Sequence, residues 1–217
     1  MIRQIPIAGF DSNFSYFIGE KDSKAIAIVD PGDVPHLDAE ISQEMLVPKM
    51  VLLTHSHFDH ISGVEEIVKE YGIPVFMHSN ARGRFEIGDE MCVFLEDNEV
   101  IDLGSLKIKA LYTPGHIDDS LCYLIDAKHA DDGKAKLLTG DTLFVEGCGR
   151  ADLEFSDVKQ LYKSLQRLKK LPDNTRVYPG HDYGSKQVSD IGYEKKHNKY
   201  MRCKNFKEFK KLRMGLA

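Results

Sequence analysis

The stretch Thr54-His55-Ser56-His57-Phe58-Asp59-His60 places three histidines and one aspartate within seven residues. His55 and His57 are two residues apart, so in an extended segment their side chains point to the same side. If the chain then turns into a helix, Asp59 and His60 face a neighbouring point. The spacing therefore predicts two pairs of ligands, directed at two adjacent metal ions.

Other predicted strands end in the same kinds of side chain. The stretch itself begins where the apolar strand Met50–Leu53 ends. Three more strands end in short turns that present an imidazole or a carboxylate: His116 follows Leu106–Leu111, Asp141 follows Lys136–Thr139, and His181 follows Arg176–Tyr178. Loops at one edge of a rigid sheet commonly gather binding residues, so we expect these groups to converge. Nitrogen and carboxylate ligands suit Zn²⁺, Fe²⁺ or Mn²⁺, and two such ions about 3.5–4 Å apart can share one carboxylate.

The rest of the pattern alternates strands and helices. Further strands are predicted over Phe14–Ile18, Ala25–Val29, Val75–Met77 and Leu121–Ile125. Helices are predicted over Pro35–Leu46, from Val64 to Tyr71, and over Ser156–Leu171 with Ser156 as N-cap. A last helix is predicted to dock Phe206, Phe209 and Leu212 on the body. Strands covered by helices indicate an α/β or α+β layered fold.

The charge distribution separates the body of the chain from its end. Residues 194–217 contain nine Lys or Arg against two Glu, although the whole chain has a net charge of −5. An acidic body argues against a broad nucleic-acid footprint, so no nucleic-acid partner is expected. No linker is visible, and we predict a single domain over residues 1–217 with a basic helical C-terminal segment from about residue 185.

Compartment and membrane signals are weak in this sequence. The longest apolar run, Ala25–Val29, is too short for a membrane-spanning helix, so no membrane association is expected. The N-terminal residues lack the basic and apolar stretches of a secretory signal. The four cysteines form no Cys-x-x-Cys pair, which argues against a disulfide framework. These features predict a cytoplasmic protein, and they leave open whether it forms a homo-oligomer.

Four motifs together resemble the metallo-β-lactamase superfamily, in its usual chain order: Thr54–His60, Thr113–His116, Gly140–Phe144 and Tyr178–Tyr183. The resemblance covers roughly residues 12–200 and implies an αββα sandwich, in which two mixed sheets carry helices on both outer faces. It also implies a ligand set of His55, His57 and His116 for a first metal, and Asp59, His60 and His181 for a second, with Asp141 bridging. Two zinc ions are the expected cofactors, with iron or manganese as alternatives. In this reading Asp59 and Asp141 are the catalytic residues, and Asp59 also orients the nucleophile.

Within the superfamily, two stretches resemble the glyoxalase II group, the hydroxyacylglutathione hydrolases: Gly140–Phe144 and Gly147–Arg150. In that group, a basic residue at the position of Arg150 and a tyrosine at that of Tyr183 contact the glutathione part of a thioester. A guanidinium can also clamp a carboxylate bidentately. The resemblance implies a thioesterase that uses a metal-bridging hydroxide on a small-molecule thioester of glutathione or another thiol carrier. The sequence departs from the group at Ala151-Asp152-Leu153 and lacks most of the group's C-terminal domain.

A second branch, the persulfide dioxygenases, also matches. The matching stretches are Gly147–Asp152, His181–Tyr183, and Val188–Ile191 with Glu194 and Asn198. Those enzymes hold one iron with the equivalents of His55, His116 and Asp141. All seven ligand positions occur in both branches, so the ligand set leaves both open, while Thr142-Leu143-Phe144 favours hydrolysis. A third reading is a metal-stabilised scaffold without turnover. However, seven ligands for two ions leave coordination sites open, as catalysis requires.

Overall fold

The computed structural model describes residues 2–7, 11–20 and 23–215. The strands are β1 Ile2–Pro6, β2 Phe14–Gly19, β3 Ala25–Val29, β4 Val47–Leu52, β5 Val75–His78, β6 Cys92–Leu95, β7 Val100–Leu103, β8 Leu106–Tyr112, β9 Leu121–Ile125, β10 Lys136–Gly140, β11 Arg176–Pro179 and β12 Ser189–Asp190. The α-helices are α1 Val34–Glu44, α2 Phe58–Ile61, α3 Val64–Tyr71, α4 Val158–Leu168, α5 Ile191–His197 and α6 Phe206–Met214.

These strands form two six-stranded mixed sheets. The first has the order β1-β2-β3-β4-β5-β6, antiparallel from β1 to β3 and parallel from β3 to β6. The second has the order β12-β11-β10-β9-β8-β7, with a single parallel pair between β10 and β11. Parallel strands in both sheets bring several strand ends to the same edge, which is where the sequence predicts the site.

Alternating side chains along β2 show how the layers pack. Tyr16 and Ile18 belong to a buried core between the two sheets, together with Ile108 and Tyr123 of the second sheet. Phe17 points to the opposite face and packs in the core that α1 and α3 cover. A third core lies between the outer face of the second sheet and α4 to α6. The predicted αββα sandwich is therefore confirmed.

The two sheets are tied together at the edge that carries the motifs. The backbone N–H of Phe14 donates to the carbonyl of Gly180 at 2.8 Å. The backbone N–H of Leu121 donates to the carbonyl of Thr54 at 2.7 Å. An isolated β-bridge also pairs Asn13 with His181. No helix in the described part of the chain is both long and apolar enough to cross a membrane.

Two details of the predicted helices are wrong. The helix predicted over Ser156–Leu171 is shorter, and its N-cap is Asp157 rather than Ser156. The Asp157 carboxylate accepts hydrogen bonds from the N–H groups of Lys159 and Gln160 in the first turn of α4, whereas the Ser156 hydroxyl donates to the carbonyl of Leu153. In α6, Phe209 is fully buried as predicted, but Leu212 is 40% exposed and is not docked as predicted.

The cap can be tested by its effect on stability. Asp157→Ala is expected to lower the free energy of unfolding by about 1 kcal/mol, since two N–H groups of α4 lose their acceptor. Asp157→Asn is the matched control, because asparagine caps helices about as well as aspartate. Denaturant unfolding of the three proteins measures the difference, and equal losses in both variants would contradict this assignment.

Candidate metal centre

The structure brings all seven predicted ligands to one edge of the sandwich. His55 and His57 follow β4, Asp59 and His60 lie in α2, and the others follow β8, β10 and β11 of the second sheet. Ligand atoms lie within 4.8 Å of one another in three groups: His55 with His57 and His116, His55 with His60 and Asp141, and Asp59 with His60 and His181. We call the first of these the His57 group and the last the His181 group. Each of these two groups could hold one ion.

Asp141 lies between the two groups. Its Oδ2 is 3.5 Å from Nε2 of His116 and 3.2 Å from Nε2 of His181, while its Oδ1 is 3.4 Å from Nε2 of His60. The side chain is 10% exposed, so both oxygens are directed into the cluster. One carboxylate in contact with both groups has the geometry of a bridge between two ions.

Hydrogen bonds made by Nδ1 fix the orientation of three of the histidine rings. Nδ1 of His60 donates to the buried carboxylate of Asp30 at 2.9 Å. Nδ1 of His116 donates to the carbonyl of Arg150 at 3.1 Å, and Nδ1 of His181 donates to that of Asp11 at 2.8 Å. These bonds turn each Nε2 toward the cluster, as metal-binding histidines require.

Three supporting residues were missed by the sequence reasoning. Besides holding His60, Asp30 accepts hydrogen bonds from the N–H and hydroxyl of Thr54, at 2.7 and 2.6 Å. Asn13 donates its amide to Oδ2 of Asp59 at 2.8 Å, and Asp11 holds His181 through its carbonyl. Asp30 did carry a signal, because it directly follows the apolar strand β3, as the predicted ligands follow their own strands. Nothing local in the sequence marks the other two.

Burial and neighbouring charges set the protonation of the cluster. Burial lowers the pKa of His55 well below its usual value and, with His116 nearby, lowers that of His57 to about 4. Burial alone would raise the pKa of Asp141, but His60 and His181 outweigh it and hold the pKa well below its usual range. The arrangement thus favours neutral imidazoles in the His57 group beside an ionised carboxylate, which are the protonation states that bind metal.

Unpartnered polar atoms test whether the cluster fits metal ions. Within the described part of the chain, Nε2 of His55 and Oδ1 of Asp141 are buried and have no hydrogen-bond partner. A buried polar atom without a partner costs about 1–3 kcal/mol, so native proteins rarely keep one without a reason. Since both atoms point into a cluster of nitrogen and oxygen ligands, the residues present fit divalent ions.

A cleft of about 730 Å³ opens onto the cluster, and both predicted substrate contacts line it. Arg150 is exposed, and its guanidinium pairs with both carboxylate oxygens of Asp152, at 3.0 and 2.9 Å. The ring of Tyr183 stacks on His181 with centroids 4.6 Å apart, and its hydroxyl donates to the Asp11 carboxylate. The basic C-terminal segment also reaches this cleft, where it contributes Lys199, Tyr200 and Arg213.

Comparisons with known proteins agree with this geometry. A family model described as the metallo-beta-lactamase superfamily matches residues 8–181. The chain is 30% identical over 204 residues to the probable polyketide biosynthesis zinc-dependent hydrolase PksB of Bacillus subtilis, covering 93% of this chain and 87% of that protein. It is 36% identical over 213 residues to a hydroxyacylglutathione hydrolase of Dictyostelium discoideum, covering 92% and 75% of the two chains.

A solved structure is similar over the whole described fold. ETHE1 from Myxococcus xanthus superposes with a TM-score of 0.85 at 32% identity, covering 100% of this chain and 91% of that one. The family match spans most of the chain and includes every group of the cluster, from His55 to His181. The chain therefore belongs to the metallo-beta-lactamase superfamily.

Proposed function

We propose that the protein is a metal-dependent hydrolase that cleaves thioesters of the hydroxyacylglutathione type. The observation that carries the proposal is the pair of ligand groups that share Asp141 and open onto the cleft. Similarity to proteins named as a zinc-dependent hydrolase and as hydroxyacylglutathione hydrolases supports it. The proposed ligands are His55, His57 and His116 for one zinc ion, Asp59, His60 and His181 for the other, and Asp141 for both.

Two divalent ions held there would lower the pKa of a bound water molecule and polarise the thioester carbonyl. Asp59 is suited to orient that water. Its side chain is 30% exposed, and the Asn13 amide fixes the position of its Oδ2. With one oxygen held in this way, Asp59 can accept a hydrogen bond from the attacking water and direct its lone pair toward the substrate.

Arg150 and Tyr183 are proposed to bind the thiol carrier, because both line the cleft beside the ligands. Arg150 presents a planar fork to Asp152, and a substrate carboxylate could take the same place. Tyr183 is 48% exposed, and its ring is held by contacts with both Phe144 and His181. An aromatic ring and a guanidinium that line the same cleft favour a partly anionic carrier.

Arg150→Ala is expected to raise KM about tenfold and leave kcat nearly unchanged, because it removes a charge-assisted contact made equally in the ground and transition states. Steady-state kinetics on S-lactoylglutathione measures the effect. Asp152→Asn is the matched variant: it frees the guanidinium from its intramolecular partner, so KM should fall or stay the same. An unchanged KM in Arg150→Ala would remove this residue from the substrate model.

Metal analysis combined with two assays tests the function itself. About two zinc ions per chain and thiol release from S-lactoylglutathione are the expected results. One iron per chain with oxygen uptake on glutathione persulfide would instead support a persulfide dioxygenase, in which only His55, His116 and Asp141 hold the metal. If metal is bound but neither activity is found, the proposed metal centre would stand and the proposed substrate class would be rejected.

A further inference from the structure

Arg84 makes contacts that the proposed reaction does not use. It lies in the segment after β5, and its guanidinium reaches two different loops of the metal centre. Nη1 donates to the hydroxyl of Ser56 at 3.1 Å and lies 3.2 Å from Oδ2 of Asp119. Nη2 donates to Oδ1 of Asp118 at 2.6 Å. One planar cation therefore contacts three side chains.

The three partners of Arg84 lie in the loops that carry the predicted ligands of the His57 group. Ser56 lies between His55 and His57, and Asp118 and Asp119 closely follow His116. The loop with Ser56 follows β4 of the first sheet, and the loop with Asp118 and Asp119 follows β8 of the second sheet. Arg84 thus joins the two loops that together supply the His57 group.

The bridge is partly shielded from water. The side chain of Asp119 is fully buried and that of Arg84 is 19% exposed. The ring of Phe155 covers the guanidinium with its centroid 4.6 Å from Cζ. The carbonyl of Asp118 accepts further hydrogen bonds from the Asn80 amide and the Tyr112 hydroxyl, at 2.9 and 2.8 Å. A forked guanidinium can satisfy several acceptors at fixed angles, which a lysine ammonium cannot.

The His181 group is held by other residues. Asn13 fixes Asp59, Asp30 fixes His60, and the carbonyl of Asp11 fixes His181. Within the described residues, the contacts of the Arg84 guanidinium reach Ser56, Asp118, Asp119 and Phe155 rather than these supports. Loss of Arg84 should therefore affect one group and spare the other, whereas a general loss of stability would affect both.

We propose that Arg84 is a positioning residue that sets the spacing of the loops carrying His57 and His116 and thereby controls the affinity of the His57 group for its metal ion. The residue acts through Ser56, Asp118 and Asp119 and contacts neither metal nor substrate. This inference rests on the two-ion site of the proposed function.

Zinc affinity tests the inference independently of activity. The full-length protein is stripped of metal and titrated with zinc in competition with a chelating indicator. In Arg84→Met, one ion should bind roughly 10- to 100-fold more weakly, the usual effect of losing a residue that orients metal ligands, while the other keeps its affinity. Arg84→Lys retains a charge opposite Asp119 without the fork, so it should fold like the wild type and still weaken the same ion.

Ligand variants identify the affected ion. In a His181→Ala background, where only the His57 group remains intact, Arg84→Met should keep its full effect. In a His57→Ala background its effect should disappear. Arg82→Met is the matched control: Arg82 is exposed and pairs with Asp89 at 3.6 Å on the surface, so both affinities should stay at wild-type values.

Three outcomes would overturn the inference. Equal weakening of both ions would indicate a general structural role, and unchanged affinities in Arg84→Met and Arg84→Lys would show that the bridge does not matter for metal. In both cases the proposed function would stand. A wild-type protein that binds no zinc would instead reject the proposed function, and this inference with it.

Discussion

Replacing Asp141 with asparagine is expected to lower kcat about 10³-fold, equivalent to several kcal/mol of lost transition-state stabilisation. The wild-type carboxylate faces His116 and His181 with one oxygen and His60 with the other. An amide offers one neutral oxygen, so it cannot serve both groups or balance the charge of two ions. We therefore also expect bound zinc to fall from two ions per chain to one.

Kinetics and elemental analysis of the same preparation would measure both effects. Asp173→Asn is the matched control, because Asp173 pairs with Lys195 on the surface away from the cleft. Circular dichroism should show that the Asp141 variant keeps its fold. Near-wild-type turnover with two zinc ions bound would mean that Asp141 is not the shared ligand.

Gly180→Ala is expected to lower kcat/KM by about 10²-fold or more, although it adds only a methyl group. A Cβ at this position would lie inside contact distance of Oδ1 of Asp141 and 2.9 Å from Cε1 of His60. Either ligand must then move, and a misplacement of about 1 Å at a reacting centre can cost 10²-fold. The variant should also lose bound zinc, because the displaced groups are proposed ligands.

Gly147→Ala provides the comparison. A Cβ there would meet its nearest neighbour, Cβ of Phe144, at 3.5 Å, which is ordinary van der Waals contact. This variant should retain two zinc ions, whereas Gly180→Ala should not. If both variants keep their metal, the close packing of Gly180 on Asp141 does not constrain the centre.

The convergence of the proposed ligands was predictable from sequence because these residues follow a local rule. His55 and His57 are brought to one side by their own spacing, and His116, Asp141 and His181 each follow an apolar strand. Convergence then requires only that the strands end at one edge, and the structure has this arrangement. The supports Asp11, Asn13 and Arg84 obey no such rule, since their partners are distant in sequence and are set by how the sheets and loops pack.

The strands that the sequence did not predict are β1, β6, β7 and β12, which are the four edges of the two sheets. An edge strand has one hydrogen-bonded neighbour and buries fewer side chains, so its apolar pattern is weaker. Along β1 only Ile5 is buried, whereas every residue of β2 is buried.

Each ligand group draws side chains from both sheets. His55 and His57 end a strand of one sheet and His116 follows a strand of the other. In the His181 group, Asp59 and His60 follow the first sheet and His181 follows a strand of the second. An ion in either position would cross-link the two halves of the sandwich, so binding energy would add to the cohesion of the whole fold. The supply of zinc would then govern how long the polypeptide survives proteolysis as well as how fast it turns over substrate.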